Sequence, residues 1–157
     1  MASPELLIRD ATSNDVEACA RIMADEANEH PDVWRARFAD VLGDPSRHFL
    51  VAEADGEVVG YAQSRFVTRP DDLEGQPPGG WFLSGLAVAR AQRRRGIGRA
   101  LTQARIARLA GEGVVFYAAE HDNRGTIQLH QQLGFRRVGE LGLGGHDRPL
   151  ALFRLDL

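Results

Sequence analysis

Apolar positions recur along this chain at two different spacings, which separate predicted helices from predicted strands. Between residues 16 and 27 they recur at the three- and four-residue intervals of an amphipathic helix, at Val16, Cys19, Ala20, Met23 and Ala27. Thr12, followed three residues later by Asp15, predicts a capping box in front of that helix. A shorter helix is expected over residues 32–42, ending at Gly43.

Strand-like segments surround these helices. Residues 48–54 and 57–67 predict a hairpin, because the Asp55-Gly56 pair between them is a turn sequence. Further strands are expected over residues 6–9, 81–88, 114–119, 135–141 and 150–157, and further helices from Gly98 or Arg99 to 110 and over 123–133. This order predicts an α/β protein, with a mixed sheet that carries helices on both faces and a single domain over residues 1–157.

Composition narrows the class of protein. The chain has 157 residues and a formal net charge of −3, which argues against a broad basic face and hence against a nucleic-acid partner. Cys19 is the only cysteine, and no stretch is long and apolar enough for a membrane span. The first residues also lack the apolar run of a secretory signal. We therefore expect a cytoplasmic protein without a membrane partner.

The candidate chemistry lies between the strand at 81–88 and the helix that follows it. From Leu86 to Ala110 the chain has seven arginines and no acidic residue, and two glycines, Gly96 and Gly98, precede the helix. Glycine lets the backbone approach an anion closely, and the first N–H groups of a helix have no partner within it. Arginine adds bidentate bonds to phosphate. These residues predict a loop that binds a di- or triphosphate.

Two familiar phosphate loops match this segment poorly. The nucleotide-triphosphate loop ends in Gly-Lys-Ser/Thr, whereas Gly98 is followed by Arg99 and Ala100, and the chain has no lysine. The dinucleotide fingerprint G-x-G-x-x-G matches in part, with Leu101 at the third glycine and Glu120 as a candidate ribose-binding acid. Its first glycine should lie close to the strand end, but residues 89–95 intervene. A dinucleotide-binding oxidoreductase therefore stays open as a weaker alternative.

A third pattern fits more closely. The run Arg93-Arg94-Arg95-Gly96-Ile97-Gly98 matches Gln/Arg-x-x-Gly-x-Gly/Ala, and it resembles the acyl-CoA signature of the GNAT superfamily of N-acyltransferases. A second block downstream is similar to the family's N-x(5)-L-Y-x-x-x-G-F run, with His130 where tyrosine is usual; it comprises Asn123, Leu129, His130, Leu133, Gly134 and Phe135. The resemblance is strongest over residues 81–135.

This resemblance implies a fold, a cofactor and a binding site. The fold would be a mostly antiparallel sheet of about seven strands, with a parallel fourth and fifth strand splayed for acyl-CoA. The cofactor would be acetyl-CoA, leaving as coenzyme A. Leu86 and Val88 would pair with pantetheine, and an N–H near Leu86 or Ala87 would polarise the thioester. The implied cofactor contacts are Leu86, Ala87, Val88, Arg93, Arg94, Arg95, Gly96, Ile97, Gly98, Arg99 and Asn123. A helix N-cap is an equally good interpretation of Asn123.

The resemblance also implies proton transfers. His130 stands at the family's acid position, and an imidazole with a pKa near about 6.5 can protonate a leaving thiolate at neutral pH. A solvent-facing helix-end histidine, or a thiolate that leaves unaided, are the alternatives. Glu120, with His121 beside it, is the candidate general base, and a water chain is its alternative. No metal is expected.

The acceptor implied is a primary amine on a small molecule or on a protein or peptide. Residues 10–32 contain seven acids and one arginine, and we hypothesise that Asp25, Glu29 and Asp32 attract a cationic amine. A solvated helix face is the alternative for each of them. A non-catalytic CoA-binding or sensor module is the main alternative function, and a homodimer is compatible with the resemblance.

Overall fold

The computed structural model describes residues 5–68, 79–142 and 148–157. Within them, strands and helices follow one another in the predicted order. The strands are β1 (Leu6–Asp10), β2 (Arg47–Ala54), β3 (Glu57–Val67), β4 (Gly80–Val88), β5 (Val114–Ala119), β6 (Arg136–Leu141) and β7 (Leu150–Asp156). The helices are α1 (Val16–Ala27), α2 (Pro31–Val41), α3 (Ile97–Arg108) and α4 (Arg124–Gln132).

The starts of α2 and α3 each differ by one residue from the predicted ones. Helix α2 begins at Pro31, because proline is favoured in the first turn and the His30 ring accepts the Asp32 N–H at 3.3 Å. Helix α3 begins at Ile97, one residue before the expected Gly98, because Gly96 adopts a left-handed conformation that ends the loop there. Each difference shifts the start of a helix by only one residue.

The seven strands form one mixed sheet in the order β1-β2-β3-β4-β5-β7-β6. Strands β1 and β2 pair antiparallel, as do β5 with β7 and β6 with β7. Strands β4 and β5 are parallel, with Trp81 opposite Val115 and Phe82 opposite Phe116. The predicted α/β class, the mostly antiparallel sheet and its parallel pair are therefore confirmed.

The contacts within the chain form two compact units. The first comprises Met1–Ser64 and Ser84–Arg105, and the second comprises Arg65–Leu83 and Ile106–Leu157. Among the described residues, no helix has the length and apolar character that crossing a bilayer requires. The single domain over 1–157 stays a prediction.

The core of the first unit lies on both faces of its strands. Phe49 and Val51 of β2 pack with Cys19 and Phe38 from α1 and α2. Their neighbours Leu50, Ala52 and Ala54 point to the opposite face, since successive strand residues alternate, and pack with Ile97 and Leu101 of α3. Helices α1 and α2 thus cover one face and α3 the other, which confirms the prediction for this unit.

The core of the second unit is also divided by strand alternation. Trp81, Val115 and Phe153 pack with Leu109 and with Ile127 of α4. Phe82 stacks on Phe116 with ring centroids 5.2 Å apart, in a separate cluster on the alternate strand positions. Helix α4 therefore packs on the Trp81 cluster. The second sequence block, from Asn123 to Phe135, is anchored in this core.

An ion-pair cluster holds the N-terminal strand to the start of α1. The Arg9 guanidinium donates to both carboxylate oxygens of Asp15 at 2.8 and 2.9 Å and to Glu53 of β2 at 2.9 Å. Asp15 also accepts the Thr12 N–H at 2.7 Å, which completes the predicted capping box. The bond from Arg9 holds the pKa of the buried Asp15 carboxyl below its usual range.

Replacing Asp15 with Asn should lower the free energy of unfolding at pH 7 by about 1–3 kcal/mol, because the Arg9 charge loses its partner. The folded-state pKa of Asp15 is depressed, so its stabilisation is present above the ordinary carboxyl pKa and is lost as the pH falls through the folded value. Urea unfolding between pH 7 and pH 3 should therefore show the two proteins converging at low pH.

The matched control is Asp55→Asn, at an exposed left-handed turn position that asparagine tolerates. It should leave the free energy of unfolding within about 0.5 kcal/mol of wild type at every pH. A deficit in Asp15→Asn that does not depend on pH would contradict the proposed charge contribution.

Candidate functional site

The loop between β4 and α3 has a backbone shape suited to an anion. Arg94 and Gly96 both have positive φ, at 64° and 78°, on either side of Arg95. The first backbone bond of α3 runs from the Ala100 N–H to the Gly96 carbonyl at 3.0 Å. The Ile97 and Gly98 N–H groups therefore have no acceptor inside the helix. Left-handed residues next to a helix start turn successive N–H groups towards one point, where an anion can bind.

Both glycines leave room at this point. A Cβ built on Gly96 would meet no atom within 4 Å, and one built on Gly98 would meet only a Leu86 methyl carbon at 3.8 Å. Packing therefore does not require either glycine. The positive φ of Gly96 and the open space beside both residues agree with a close approach by a ligand.

Two of the loop arginines are tied to the last turn of α1. The Arg93 Nε donates to the Val88 carbonyl at 3.2 Å, and its guanidinium forms an ion pair with Glu26. Arg90 pairs with the Asp25 carboxylate at 3.1 Å and also donates to the carbonyl of that residue at 3.0 Å. The Arg93 side chain, which the sequence placed among the cofactor contacts, thus serves as a support of the loop in this structure.

The remaining loop arginines face outward. Arg94, Arg95 and Arg99 are all exposed, and Arg95 donates to the Gln92 side chain at 3.1 Å. Together with the α3 N–H groups they form a cationic edge on the first unit.

Near its C-terminal end, strand β4 directs alternate backbone groups towards β3. The Ala89 N–H donates to the Val59 carbonyl of β3 at 2.8 Å, and the Ala87 carbonyl oxygen lies 3.1 Å from an ideal Cβ on Gly60 of β3. Because strand groups alternate, the backbone groups of Leu86 point away from β3. Of the two candidates for polarising a thioester, Leu86 therefore has the better-placed N–H, and Ala87 faces β3.

A buried arginine supports this strand from α3, and sequence reasoning missed it. Arg105 is 3% exposed and donates to the carbonyls of Gln63 on β3 and Ser84 on β4, at 3.0 and 2.9 Å, and to the Thr102 hydroxyl at 3.1 Å. The available signal was its spacing, since Arg105 lies four residues after the buried Leu101 on the same helical stripe.

The candidate residues after β5 are exposed. Asn123 occupies the N-cap position of α4, and its carbonyl accepts the Ile127 N–H at 3.1 Å, but its side chain makes no capping bond. Capping therefore does not account for the Asn123 amide. Glu120 directly follows β5, and the His121 ring lies 3.5 Å from the Glu140 carboxylate.

His130 is not the solvent-facing helix-end residue that one of the two sequence interpretations expected. It is 3% exposed and its ring stacks on Tyr117, with centroids 3.6 Å apart, rather than facing solvent. Its Nδ1 lies 2.7 Å from the Thr126 carbonyl oxygen, which can only accept, so Nδ1 carries the proton. The Tyr117 hydroxyl bonds the Thr126 hydroxyl at 2.8 Å. Nε2 is then the unprotonated nitrogen of the neutral ring.

Asp25 and Asp32, two of the three acids that the sequence suggested as attractors of an amine, are paired with arginines. Asp25 pairs with Arg90, and Asp32 forms an ion pair with Arg35. Arg35 also donates to Glu17 of α1 at 2.6 Å. The negative field that the sequence suggested around Asp25 and Asp32 is therefore largely neutralised. The hypothesis that Asp25, Glu29 and Asp32 attract a cationic amine therefore loses support at Asp25 and Asp32, and it stays a prediction for Glu29.

Comparison with known proteins shows which family this chain resembles. The acetyltransferase (GNAT) family model matches residues 12–135. The N-alpha-acetyltransferase RimI of Mycobacterium tuberculosis is 32% identical over 129 residues, which are 82% of this chain and 77% of that protein. The L-methionine sulfoximine/L-methionine sulfone acetyltransferase of Pseudomonas aeruginosa is 33% identical over 146 residues, with 85% of this chain and 82% of that protein covered.

A solved structure agrees with these sequence matches. The structure of yncA from Salmonella typhimurium with its cofactor acetyl-CoA has a TM-score of 0.70 and 25% identity, and the match covers 96% of this chain and 93% of that one. The matched region contains the Arg93–Gly98 run, α3, β5 and the block from Asn123 to Phe135. The chain therefore belongs to the GNAT family of acetyltransferases.

Proposed function

We propose that this chain transfers an acetyl group from acetyl-CoA to a primary amine and releases coenzyme A. The observation that carries the proposal is the loop before α3, where left-handed Arg94 and Gly96 precede N–H groups without helical partners and three exposed arginines surround them. A diphosphate fits such donors because its oxygens accept both the N–H bonds and the guanidinium bonds.

The relatives support acetyl transfer and leave the acceptor open. One is named an N-alpha-acetyltransferase, another an acetyltransferase of L-methionine sulfoximine and L-methionine sulfone, and a third is a structure with its cofactor acetyl-CoA. The names agree on the acetyl group and differ in the acceptor. A dinucleotide-binding oxidoreductase has no support among these relatives, and we do not retain that alternative.

Acetyl-CoA supplies an activated acyl carbonyl when it is bound. In the proposed site, the Ile97 and Gly98 N–H groups and the side chains of Arg94, Arg95 and Arg99 bind its diphosphate. The Leu86 N–H donates to the thioester oxygen and stabilises negative charge that develops there during attack. The Asn123 amide, which capping does not use, is a further cofactor contact.

Two proton transfers complete the proposed reaction. The attacking amine must be neutral, and Glu120 or a water chain removes its proton. The leaving thiolate takes a proton from His130, whose ring is oriented by the bond between Nδ1 and the Thr126 carbonyl. Cytoplasmic location and a homodimer stay predictions.

The cofactor site can be tested at Gly96. Gly96→Glu places a carboxylate beside the diphosphate and should weaken acetyl-CoA binding by at least about tenfold, measured as Kd by calorimetry. Gly43→Glu is a matched control, because Gly43 has a similar φ of 82° and also has no atom within 4 Å of an ideal Cβ. It carries the same backbone strain at a place far along the chain, and its Kd should match wild type. Equal binding by all three proteins would refute the cofactor site.

The acid role of His130 can be tested by His130→Phe, which keeps a flat ring against Tyr117 but removes the titratable nitrogen. We expect kcat to fall by about 100-fold or more, with the Kd of acetyl-CoA unchanged and one limb of the pH–rate profile lost. Phe135→Leu disturbs the same aromatic cluster without removing a proton donor, and should affect thermal stability more than kcat. If His130→Phe keeps wild-type kcat, the residue only packs.

The reaction itself is tested by thiol release from acetyl-CoA across a panel of amines and peptides. We expect release that depends on the amine and a product that gains one acetyl group by mass spectrometry. Tight binding of acetyl-CoA without release for any acceptor would instead identify a non-catalytic CoA-binding module.

A further inference from the structure

A cavity of about 390 Å³ in the first unit belongs to none of the features above. Helix α2 supplies the apolar part of its lining, with Trp34, Phe38 and Val41, and the strands β2 and β3 supply Arg47 and Gln63. We name it the Gln63 pocket. Its walls therefore combine aromatic surface with a small number of polar groups, the composition common to small-molecule sites.

Two residues that line the pocket, Trp34 and Gln63, carry buried N–H donors with no hydrogen-bond partner among the described residues. Gln63 is 5% exposed, and its Nε2 has no hydrogen-bond partner among the described residues. The buried Trp34 Nε1 likewise has none within the described ranges. Unpaired buried donors are rare, because each gives up its bonds to water without replacement. A ligand oxygen that reached either nitrogen would supply the missing acceptor.

Arg47 determines how the Gln63 amide is turned. Its guanidinium donates to Gln63 Oε1 at 2.9 Å, so the oxygen of the amide faces the arginine and the NH₂ group points away from it. Arg47 is therefore a positioning residue for this amide. It also lines the pocket, where its positive charge favours an anionic oxygen over a neutral one.

One residue of the pocket wall, Gln63, lies next to the part of β4 where the thioester is proposed to bind. A Cβ built on Gly85 would lie 3.6 Å from Gln63 Oε1 and 3.8 Å from its Cδ. Gly85 directly precedes Leu86, and its φ of 39° marks a local irregularity of the strand. A ligand group bonded to Gln63 is therefore within a few bonds of the Leu86 backbone.

We propose that the Gln63 pocket binds the carboxylate of an α-amino acid with an apolar side chain, and that this amino acid is the acetyl acceptor; the inference rests on the proposed function. The carboxylate accepts from Gln63 and Arg47, while the side chain packs on Trp34, Phe38 and Val41. In an α-amino acid one carbon separates the nitrogen from the carboxylate. A carboxylate at Gln63 thus places the amine alongside Gly85 and Leu86.

The charges around the pocket favour this ligand over a polyanion. Arg37 and Arg47 line it together with Asp40 and Asp44, so the formal charges cancel. Asp44 accepts bonds from the Ser46 N–H and hydroxyl at 2.9 and 2.7 Å. A phosphate would be repelled by these acids, whereas a zwitterion carries no net charge. Recognition therefore comes from directed N–H bonds rather than from the overall field.

The substrate test compares L-leucine, L-methionine and L-phenylalanine with their carboxamides and with the matching amines that lack the carboxylate. We expect kcat/KM for thiol release to be roughly 10- to 100-fold higher for the amino acids. Equal values across each set would overturn the inference. A preference for tripeptides that begin with the same residues would also overturn it, because the peptide chain continues through the position of the carboxylate.

The variant test uses Gln63→Met, which keeps the length of the side chain and removes its N–H donors. KM for the preferred amino acid should rise roughly 10- to 100-fold, with kcat within about threefold of wild type and the Kd of acetyl-CoA unchanged. Gln128→Met, at an exposed position on α4, is the matched control and should change none of the three. If Gln63→Met does not fold, Trp34→Phe removes the other donor and should raise KM in the same direction.

The two proposals fail in different ways. No thiol release with any amine would overturn the proposed function and this inference with it. Release that is unaffected by the acceptor carboxylate and by Gln63→Met would overturn this inference alone and leave the acetyl transfer standing.

Discussion

The first unit depends on one buried guanidinium. Arg105 joins α3 to two strands at once, through the carbonyls of Gln63 and Ser84, and its bond to Thr102 keeps the side chain directed towards the sheet. Hydrogen bonds that involve a charged group contribute roughly 1.5–3 kcal/mol each, and the carbonyls would be left without this donor if it were lost. Together with the packing of Ile97 and Leu101, this contact fixes the position of α3 on the sheet, and with it the place of the phosphate loop at the helix start. The Gln63 pocket shares the same anchor, because the carbonyl of Gln63 is one of the two that Arg105 holds.

The sequence predicted the parts of this protein that depend on local spacing. The helical stripe from Val16, the Asp55-Gly56 turn and the glycines before α3 are recorded in neighbouring residues, and each of these elements is where the spacing placed it. Contacts between residues far apart in the sequence cannot be inferred from local spacing. The pairs Arg90 with Asp25 and Arg93 with Glu26 join positions more than sixty residues apart, so the same acids looked like an exposed negative field. His130 illustrates the same limit. Its place on a helix could be predicted from neighbouring residues, but its burial depends on Tyr117 of strand β5.

All nineteen basic residues of this chain are arginines, and several of them make contacts that depend on the shape of the guanidinium group. Several guanidinium groups each hold two acceptors: Arg9 joins Asp15 and Glu53, and Arg35 joins Glu17 and Asp32. Arg93 holds a carbonyl and a carboxylate together in the phosphate loop. The planar fork of arginine presents donors in fixed directions, whereas a lysine ammonium is a compact point charge. Replacing these side chains with lysine would keep the charge and lose the geometry by which separate elements are joined.

Because Cys19 is buried, we expect the folded protein not to react with thiol reagents. Its side chain is fully enclosed between α1 and its neighbours, and burial raises the pKa of the thiol to about 12. Only the thiolate reacts rapidly with disulfides and alkylating agents, so the folded chain contributes no nucleophilic sulfur near neutral pH. Because Cys19 is the only cysteine, any sulfhydryl that a disulfide dye detects beside the native protein comes from another molecule. A stoichiometric thiol signal from the protein itself reports that the core around α1 has opened, which makes this residue an intrinsic marker of unfolding.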